Sequence, residues 1–126
     1  MIPGELRYTA EHEWVRANED GTLTFGITHH AQDALGDIVY VSVPTVGSQV
    51  TAGSPCGEVE STKSVSDIYA PVSGAVVEVN TALSDQPETI NADPYGAGWL
   101  VRLKPDASDA FNGLLGPTEY EALTRT

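Results

Sequence analysis

Gly57-Glu58-Val59-Glu60-Ser61-Thr62-Lys63-Ser64-Val65-Ser66-Asp67 sets one lysine between two short segments in which apolar and polar residues alternate. Alternation with a period of two marks a strand with one buried face, so the stretch reads as a β-hairpin spanning about residues 57–70. If the two arms pair, Lys63 falls at the turn. The whole chain of 126 residues has one other lysine, Lys104. An exposed lysine on a fixed hairpin tip suits a modifying enzyme, which needs access to the ammonium and a rigid backbone around it. Spacing alone is equally served by a plain solvated turn lysine.

Outward from the hairpin the chain reads mostly as strand. Residues 22–27, 37–43, 74–79 and 99–103 are short, rich in β-branched or aromatic residues and bounded by turn formers. Pro44, Gly47, Gly53-Ser54-Pro55, Pro71 to Gly74 and Asn91-Ala92-Asp93-Pro94-Tyr95-Gly96 supply the dihedrals that reverse a chain. Closely spaced short strands with such punctuation predict a mainly β fold, a small sandwich or barrel.

Helical signals interrupt the pattern near the start and at the end. Thr28, then residues 29–35, then Gly36 predict a helix of about two turns, with a hydroxyl N-cap and a glycine free to take the left-handed conformation at C′. Residues 108–112 and 117–123 predict two further short helices within a C-terminal helical segment of about 106–124. The second opens on Pro117 and carries Glu119 in its first turn. The length and the 40% hydrophobic content fit one domain, residues 1–126, folding around one core without metals or disulfides.

Charge narrows the partners. Eighteen acidic residues against six basic ones give a formal net charge of −12, which repels nucleic acid and anionic lipid and serves equally plain solubility or steering onto basic patches of larger proteins. The N-terminus lacks the apolar run of a signal peptide, and no stretch approaches the roughly 20 apolar residues of a membrane span. Cys56 has no second cysteine to pair with. With no targeting segment visible, a bacterial cytoplasm is the expectation, although a mature mitochondrial form would look the same. His12, His29 and His30 lack a defined metal-ligand set, and no nucleophile elbow or phosphate loop is present. Trp14, Trp99 and Tyr95 read as core or cleft-wall residues.

The hairpin, followed by Ile68-Tyr69-Ala70-Pro71-Val72-Ser73-Gly74 and Val76-Val77-Glu78-Val79-Asn80, resembles the lipoyl-attachment hairpin of the glycine cleavage H-protein family. Tyr8-Thr9-Ala10-Glu11-His12-Glu13-Trp14-Val15, residues 26–33, Leu35-Gly36-Asp37-Ile38-Val39, Ile90-Asn91-Ala92-Asp93-Pro94-Tyr95 and Gly98-Trp99-Leu100 resemble other segments of that family in the same order. The resemblance covers roughly residues 6 to 123. Biotin carriers typically flank their lysine with methionines, whereas Lys63 stands between Thr62 and Ser64.

The resemblance implies a barrel-sandwich hybrid, like biotinyl and lipoyl domains, with short helices. It implies lipoic acid in amide linkage to Lys63, a modification that removes one positive charge. The implied carrier is not an enzyme. It shuttles an aminomethyl group from a pyridoxal-phosphate-dependent glycine decarboxylase to a tetrahydrofolate-dependent aminomethyltransferase, and electrons to dihydrolipoyl dehydrogenase. Lipoylating enzymes complete the set of partners, with Glu60 as their recognition residue. Gly47 and Gly74 are implied to shape the hairpin and its recognition, and Glu13 and Asp67 to line the cleft for the arm or its aminomethyl cargo. The chain departs from some family members in having Glu11 in place of a small hydroxyl residue and Ala34 in place of a histidine. Three other readings stay open: an unmodified acidic adaptor, a relay that passes lipoyl groups to other lipoyl domains, and a Schiff-base lysine, which would need a buried pocket.

Overall fold

Strands gather into two sheets whose inner faces share one core, and the hairpin carrying Lys63 belongs to the smaller. The computed structural model describes residues 3–124. Its strands are β1 (Arg7–Tyr8), β2 (Glu13–Ala17), β3 (Leu23–Ile27), β4 (Ile38–Ser42), β5 (Gln49–Val50), β6 (Pro55–Ser61), β7 (Val65–Tyr69), β8 (Gly74–Val79) and β9 (Val101–Pro105). The larger sheet runs β1-β2-β3-β9-β8-β5 and the smaller β4-β6-β7, with every pair antiparallel. The helices are α1 (His29–Leu35), α2 (Thr89–Ala92) and α3 (Pro117–Thr124).

The core follows from alternation. Val15, Leu23, Phe25 and Ile27 from β2 and β3 meet Val41, Val59 and Ile68 from the smaller sheet, with Val76 and Leu103 from β8 and β9. Burying one such aliphatic or aromatic side chain contributes about 1.5–3 kcal/mol. β2 is unusual because it is buried on both faces. Val15 enters the main core, while its neighbour Trp14 enters a second cluster with Leu6, Tyr8 and Tyr120. Gly26, paired with Trp14 across the sheet, makes that possible: a Cβ there would stand 2.9 Å from the indole. Glu13 points the same way as Val15 and is therefore carried into the protein, 1% exposed.

The structure meets the mainly β expectation and amends its details. The hairpin arms are β6 and β7, so pairing begins two residues earlier than predicted. α1 has the predicted bounds and N-cap, Thr28 Oγ1 accepting from the Ala31 amide. Gly36 takes a positive φ of 88°, but its ψ of −155° lies outside the left-handed helical region, because the chain must turn straight into β4. One of the two predicted C-terminal helices is α3. The other is a 3-10 turn at Ala110–Gly113, too short to propagate an α-helical ladder. Gly47 and Gly74 lie outside the hairpin. Gly47, at φ 93°, turns the chain before β5, and Gly74 opens β8, where a Cβ would stand 2.4 Å from the Lys104 carbonyl oxygen. Both serve the larger sheet.

Candidate functional site

The turn that presents Lys63 is built around one hydroxyl. Ser61 Oγ accepts from the amides of Lys63 and Ser64, each at 3.1 Å, and donates to the Ser64 carbonyl at 3.2 Å, while the Ser61 amide closes the turn onto that carbonyl at 2.8 Å. The Thr62 amide then donates to the Asp37 carbonyl at 3.1 Å, pinning the tip to the loop after α1. Lys63 itself is exposed. Its stem lies over Gly36, where an added Cβ would approach Lys63 Cε to 3.0 Å. The positive φ of 88° favours glycine there, and its missing Cβ spares the lysine stem a close contact.

Asn91, in α2, fixes the floor under the lysine. Its Nδ2 donates to the Gly36 carbonyl and to Gln32 Oε1, and its Oδ1 accepts from the Ile38 amide, all at 2.9 Å. The end of α1, the Gly36 turn and the start of β4 are therefore one clamped unit.

Beside that unit lies a cleft of about 220 Å³, lined by Glu11, His12, His30, Ala31, Ala34, Leu35 and Ser66. Of these, Leu35 is next to Gly36, over which the Lys63 stem lies, and Ser66 is three residues past Lys63. Ala31, Ala34 and Leu35 of α1 are its apolar lining, and Glu11, His12, His30 and Ser66 its polar lining. A wider cavity of about 460 Å³ lies on the larger sheet among Arg16, Trp99 and Arg102, and no hairpin residue lines it.

The polar lining is organised by a second tight turn. Thr9 Oγ1 accepts from the amides of Glu11 and Glu13 at 3.2 Å and donates to Glu13 Oε1 at 2.6 Å. His12, inside this turn, has a φ of 68°, the only positive value outside glycine among the described residues. Such backbone is held only where surrounding bonds over-determine it. Here the His12 amide donates to the Thr9 carbonyl at 3.1 Å and its own carbonyl accepts from the Thr28 amide at 3.0 Å. The His12 and His30 rings are 4.6 Å apart. Burial first, and then His30, push the His12 pKa down, while Glu11 works in the opposite direction.

Glu13 sits behind this wall. Its Oε2 accepts from the Tyr69 amide at 3.2 Å, tying β2 to β7. Burial raises its carboxyl to about 7, against the opposing hydrogen bonds from Thr9 and Tyr69. Burial, reinforced by the Glu13 charge, also pushes the Cys56 thiol up to about 11, the setting of an inert thiol rather than a reactive one.

The structure thus separates residues the sequence grouped. Lys63 is not itself among the residues lining the cleft, and neither are Glu13 and Asp67. Asp67 neighbours Ser66 on β7, and alternation turns it to the outer face, where it is exposed and pairs across from Glu58. Glu60 lies on that outer face too, in a cross-strand row with Tyr40 and Val65, which are 56% and 58% exposed. Residues the sequence did not single out are Thr9, Ser61, Ser66 and Tyr120. The first two carry a local signal, a hydroxyl at the start of a tight turn.

The comparisons with known proteins agree with this geometry. The family described as "Glycine cleavage H-protein" matches residues 6–126. The chain belongs to the glycine cleavage H-protein family. A glycine cleavage system H protein of Psychrobacter sp. (strain PRwf-1) is 56% identical, covering 96% of this chain and 96% of its own. Another, of Escherichia coli O7:K1, is 54% identical over 97% of this chain and 95% of its own. The crystal structure of a glycine cleavage system H protein from Mycobacterium marinum superposes with a TM-score of 0.90 at 52% identity, covering 99% of this chain and all of that one. Fold and family are therefore established together.

Proposed function

We propose that this chain is a lipoyl carrier, modified on Lys63, that shuttles an aminomethyl group and electrons between the enzymes of the glycine cleavage system and catalyses none of their steps. The observation that carries the reading is the placement of Lys63. It sits on a braced turn, and its stem runs over Gly36, next to Leu35 of a cleft that mixes apolar and polar lining residues.

The residues present fit a lipoyl group. Gly36 leaves the lane along which an extended lysine runs, and Ala31, Ala34 and Leu35 match a carbon chain. Bound, the group supplies a dithiolane able to take up and release an aminomethyl unit and two electrons. The chain's own residues do the rest. Ser61 and the Thr62–Asp37 bond fix the anchor, and α1 excludes water from one side of the cargo, whose carbon is exposed to hydrolysis in solution. Glu11 offers the carboxylate in the polar lining, where a cationic amine gains a charge-assisted hydrogen bond. Glu13, ionised above about pH 7, adds negative charge from behind the wall. A tether of this kind replaces diffusion with a high effective concentration at each docked partner.

The partners we propose are a glycine decarboxylase, an aminomethyltransferase, a dihydrolipoyl dehydrogenase and the enzymes that lipoylate Lys63. Glu60 suits recognition by the last of these, because it is exposed three residues before the lysine. Asp67 and Glu58 extend that acidic face. The two relatives named above are bacterial, and we place the carrier in a bacterial cytoplasm.

Intact-mass measurement of chain co-expressed with a lipoylating enzyme tests the reading. One lipoyl group is expected on wild-type and Lys104→Arg protein and none on Lys63→Arg, which should also fail to support glycine cleavage with the other components. Normal turnover by the Lys63→Arg protein would sink the proposal.

A further inference from the structure

A buried hydrogen-bond chain reaches the cleft wall from the C-terminal helix. The Tyr120 hydroxyl lies 2.8 Å from His12 Nδ1 and 2.7 Å from Thr28 Oγ1. Its ring stacks on Tyr8 at 4.6 Å and nearly parallel. Tyr120 is the only buried residue of α3, so the helix meets the body of the protein chiefly through this side chain.

Proton counting sets the direction of the chain. Thr28 is fully buried, and its Oγ1 already accepts from the Ala31 amide at 3.2 Å. Its hydroxyl proton therefore has one acceptor in reach, the Tyr120 oxygen. The phenol must then pass its own proton to His12 Nδ1. The opposite direction would leave the Thr28 proton buried without a partner, which folded proteins avoid. Thr28 donating to Tyr120 and Tyr120 donating to His12 leaves the imidazole neutral, with its single proton on Nε2. The backbone at φ 68°, held between Thr9 and Thr28, fixes where that ring stands.

We propose that Tyr120 is a positioning residue for the cargo cleft: from α3 it holds His12 as a neutral ring in the cleft wall, so that the wall carries no positive charge beside a cationic amine. The inference rests on the carrier reading and deepens it. The groups facing His12 agree with the assignment. His30 packs against the ring and opposes its protonation, Glu11 is the acid beside it, and Tyr120 edges onto it at 5.6 Å. An imidazolium here would repel the amine that Glu11 attracts.

Four proteins, each full length, test the proposal: wild type, Tyr120→Phe, His12→Asn and the double variant. Phenylalanine keeps the stack on Tyr8 and removes only the hydroxyl. Asparagine tolerates positive φ and keeps a polar atom near Nδ1, but lacks the far half of the ring. In unloaded protein, nitrogen NMR of His12 should show an unprotonated Nδ1 that loses its hydrogen-bond shift in Tyr120→Phe. A protonated Nδ1 in wild type overturns the proposal. After mass spectrometry confirms one lipoyl group on each protein, the arm is loaded from glycine by the decarboxylase and its lifetime in buffer is followed. Tyr120→Phe frees Nδ1 to take a proton and should shorten that lifetime about three- to tenfold, the span of the one uncharged hydrogen bond removed, whereas His12→Asn cannot charge and should stay closer to wild type. The double variant should be no worse than His12→Asn, because the tyrosine acts through the histidine. Multiplying effects, or a wild-type lifetime in Tyr120→Phe, would overturn the assignment. Protein that stays bare at Lys63 sinks the carrier reading instead, and the NMR result on unloaded protein still decides the role of Tyr120.

Discussion

Two tight turns in this molecule are organised around single hydroxyls, Ser61 beside Lys63 and Thr9 beside His12, and they use them in opposite ways. Ser61 takes two backbone amides and returns its proton to a backbone carbonyl, so every bond stays within the turn. Thr9 also takes two amides, but it sends its proton to the carboxyl of Glu13, which in turn holds the Tyr69 amide of β7. The first hydroxyl serves only its own turn, which a single backbone bond from Thr62 ties to Asp37, and leaves the lysine exposed. The second is wired into the protein. An anchor for a mobile group needs a fixed backbone and a free side chain, whereas a cleft wall needs side chains that do not move. Substitutions at the anchor should therefore change function at nearly constant stability, and substitutions at the corner should cost stability first.

The largest contrast is between Trp14 and Lys63. Trp14 is fully buried, donates Nε1–H to the Pro94 carbonyl at 2.8 Å and fills the space left by Gly26. Trp14→Ala should lose about 3–5 kcal/mol, read as a lowered denaturant midpoint, because the indole leaves both a cavity and an unpaired carbonyl. Lys63→Arg should unfold within about 0.5 kcal/mol of wild type, as exposed surface changes do. Equal losses in the two variants would erase the distinction between anchor and corner.

Next in size is a pH effect confined to the corner. The Glu13 carboxyl, raised from its ordinary 4.5 to about 7, holds its proton more tightly in the folded chain than in the unfolded one. Its contribution to stability is therefore complete below about pH 4.5 and is lost as pH rises through about 7. The loss amounts to roughly 3 kcal/mol at 1.36 kcal/mol for each pH unit. Glu13→Gln cannot ionise, so this fall should vanish from its unfolding free energies between about pH 5 and 8, leaving the variant the more stable protein at the alkaline end. A fall of equal depth in both proteins would show that some other group titrates.

The sequence carried the parts of this picture that are local. The caps of α1 are set by Thr28 and by Gly36, both next to the helix they bound, and the β8 strand was legible in the same way. Glu60 is exposed because the hairpin arms alternate, and Lys63 because it lies in the turn between them. The burial of Glu13 has no local signal, because β2 is covered on both faces by clusters distant in sequence. Asp67 went to the outer face through a one-residue parity that proximity to Lys63 does not reveal. The Asn91 clamp spans 53 residues to Ile38, and the Tyr120 contact spans 108 residues to His12. No local pattern announces either.

The smallest effect expected is at Ser61, and it sharpens the comparison most. Ser61→Ala removes one acceptor shared by two amides at the exposed lysine turn. Those amides can turn to water, so the stability loss should stay near about 1 kcal/mol. Thr9→Val makes the same kind of deletion at the corner, where Glu13 is 1% exposed and loses its hydroxyl donor to no substitute. Its loss should be larger, about 1–3 kcal/mol, and should grow above about pH 7, where the carboxylate is charged. The rate of lipoylation should respond in the reverse order. Ser61→Ala loosens the backbone that a modifying enzyme must recognise, whereas Thr9→Val leaves the turn at Lys63 untouched. Unfolding curves and a lipoylation time course on the same two proteins would test both orders at once, and a Thr9→Val protein that folds well but takes up the group slowly would join the two turns into a single device.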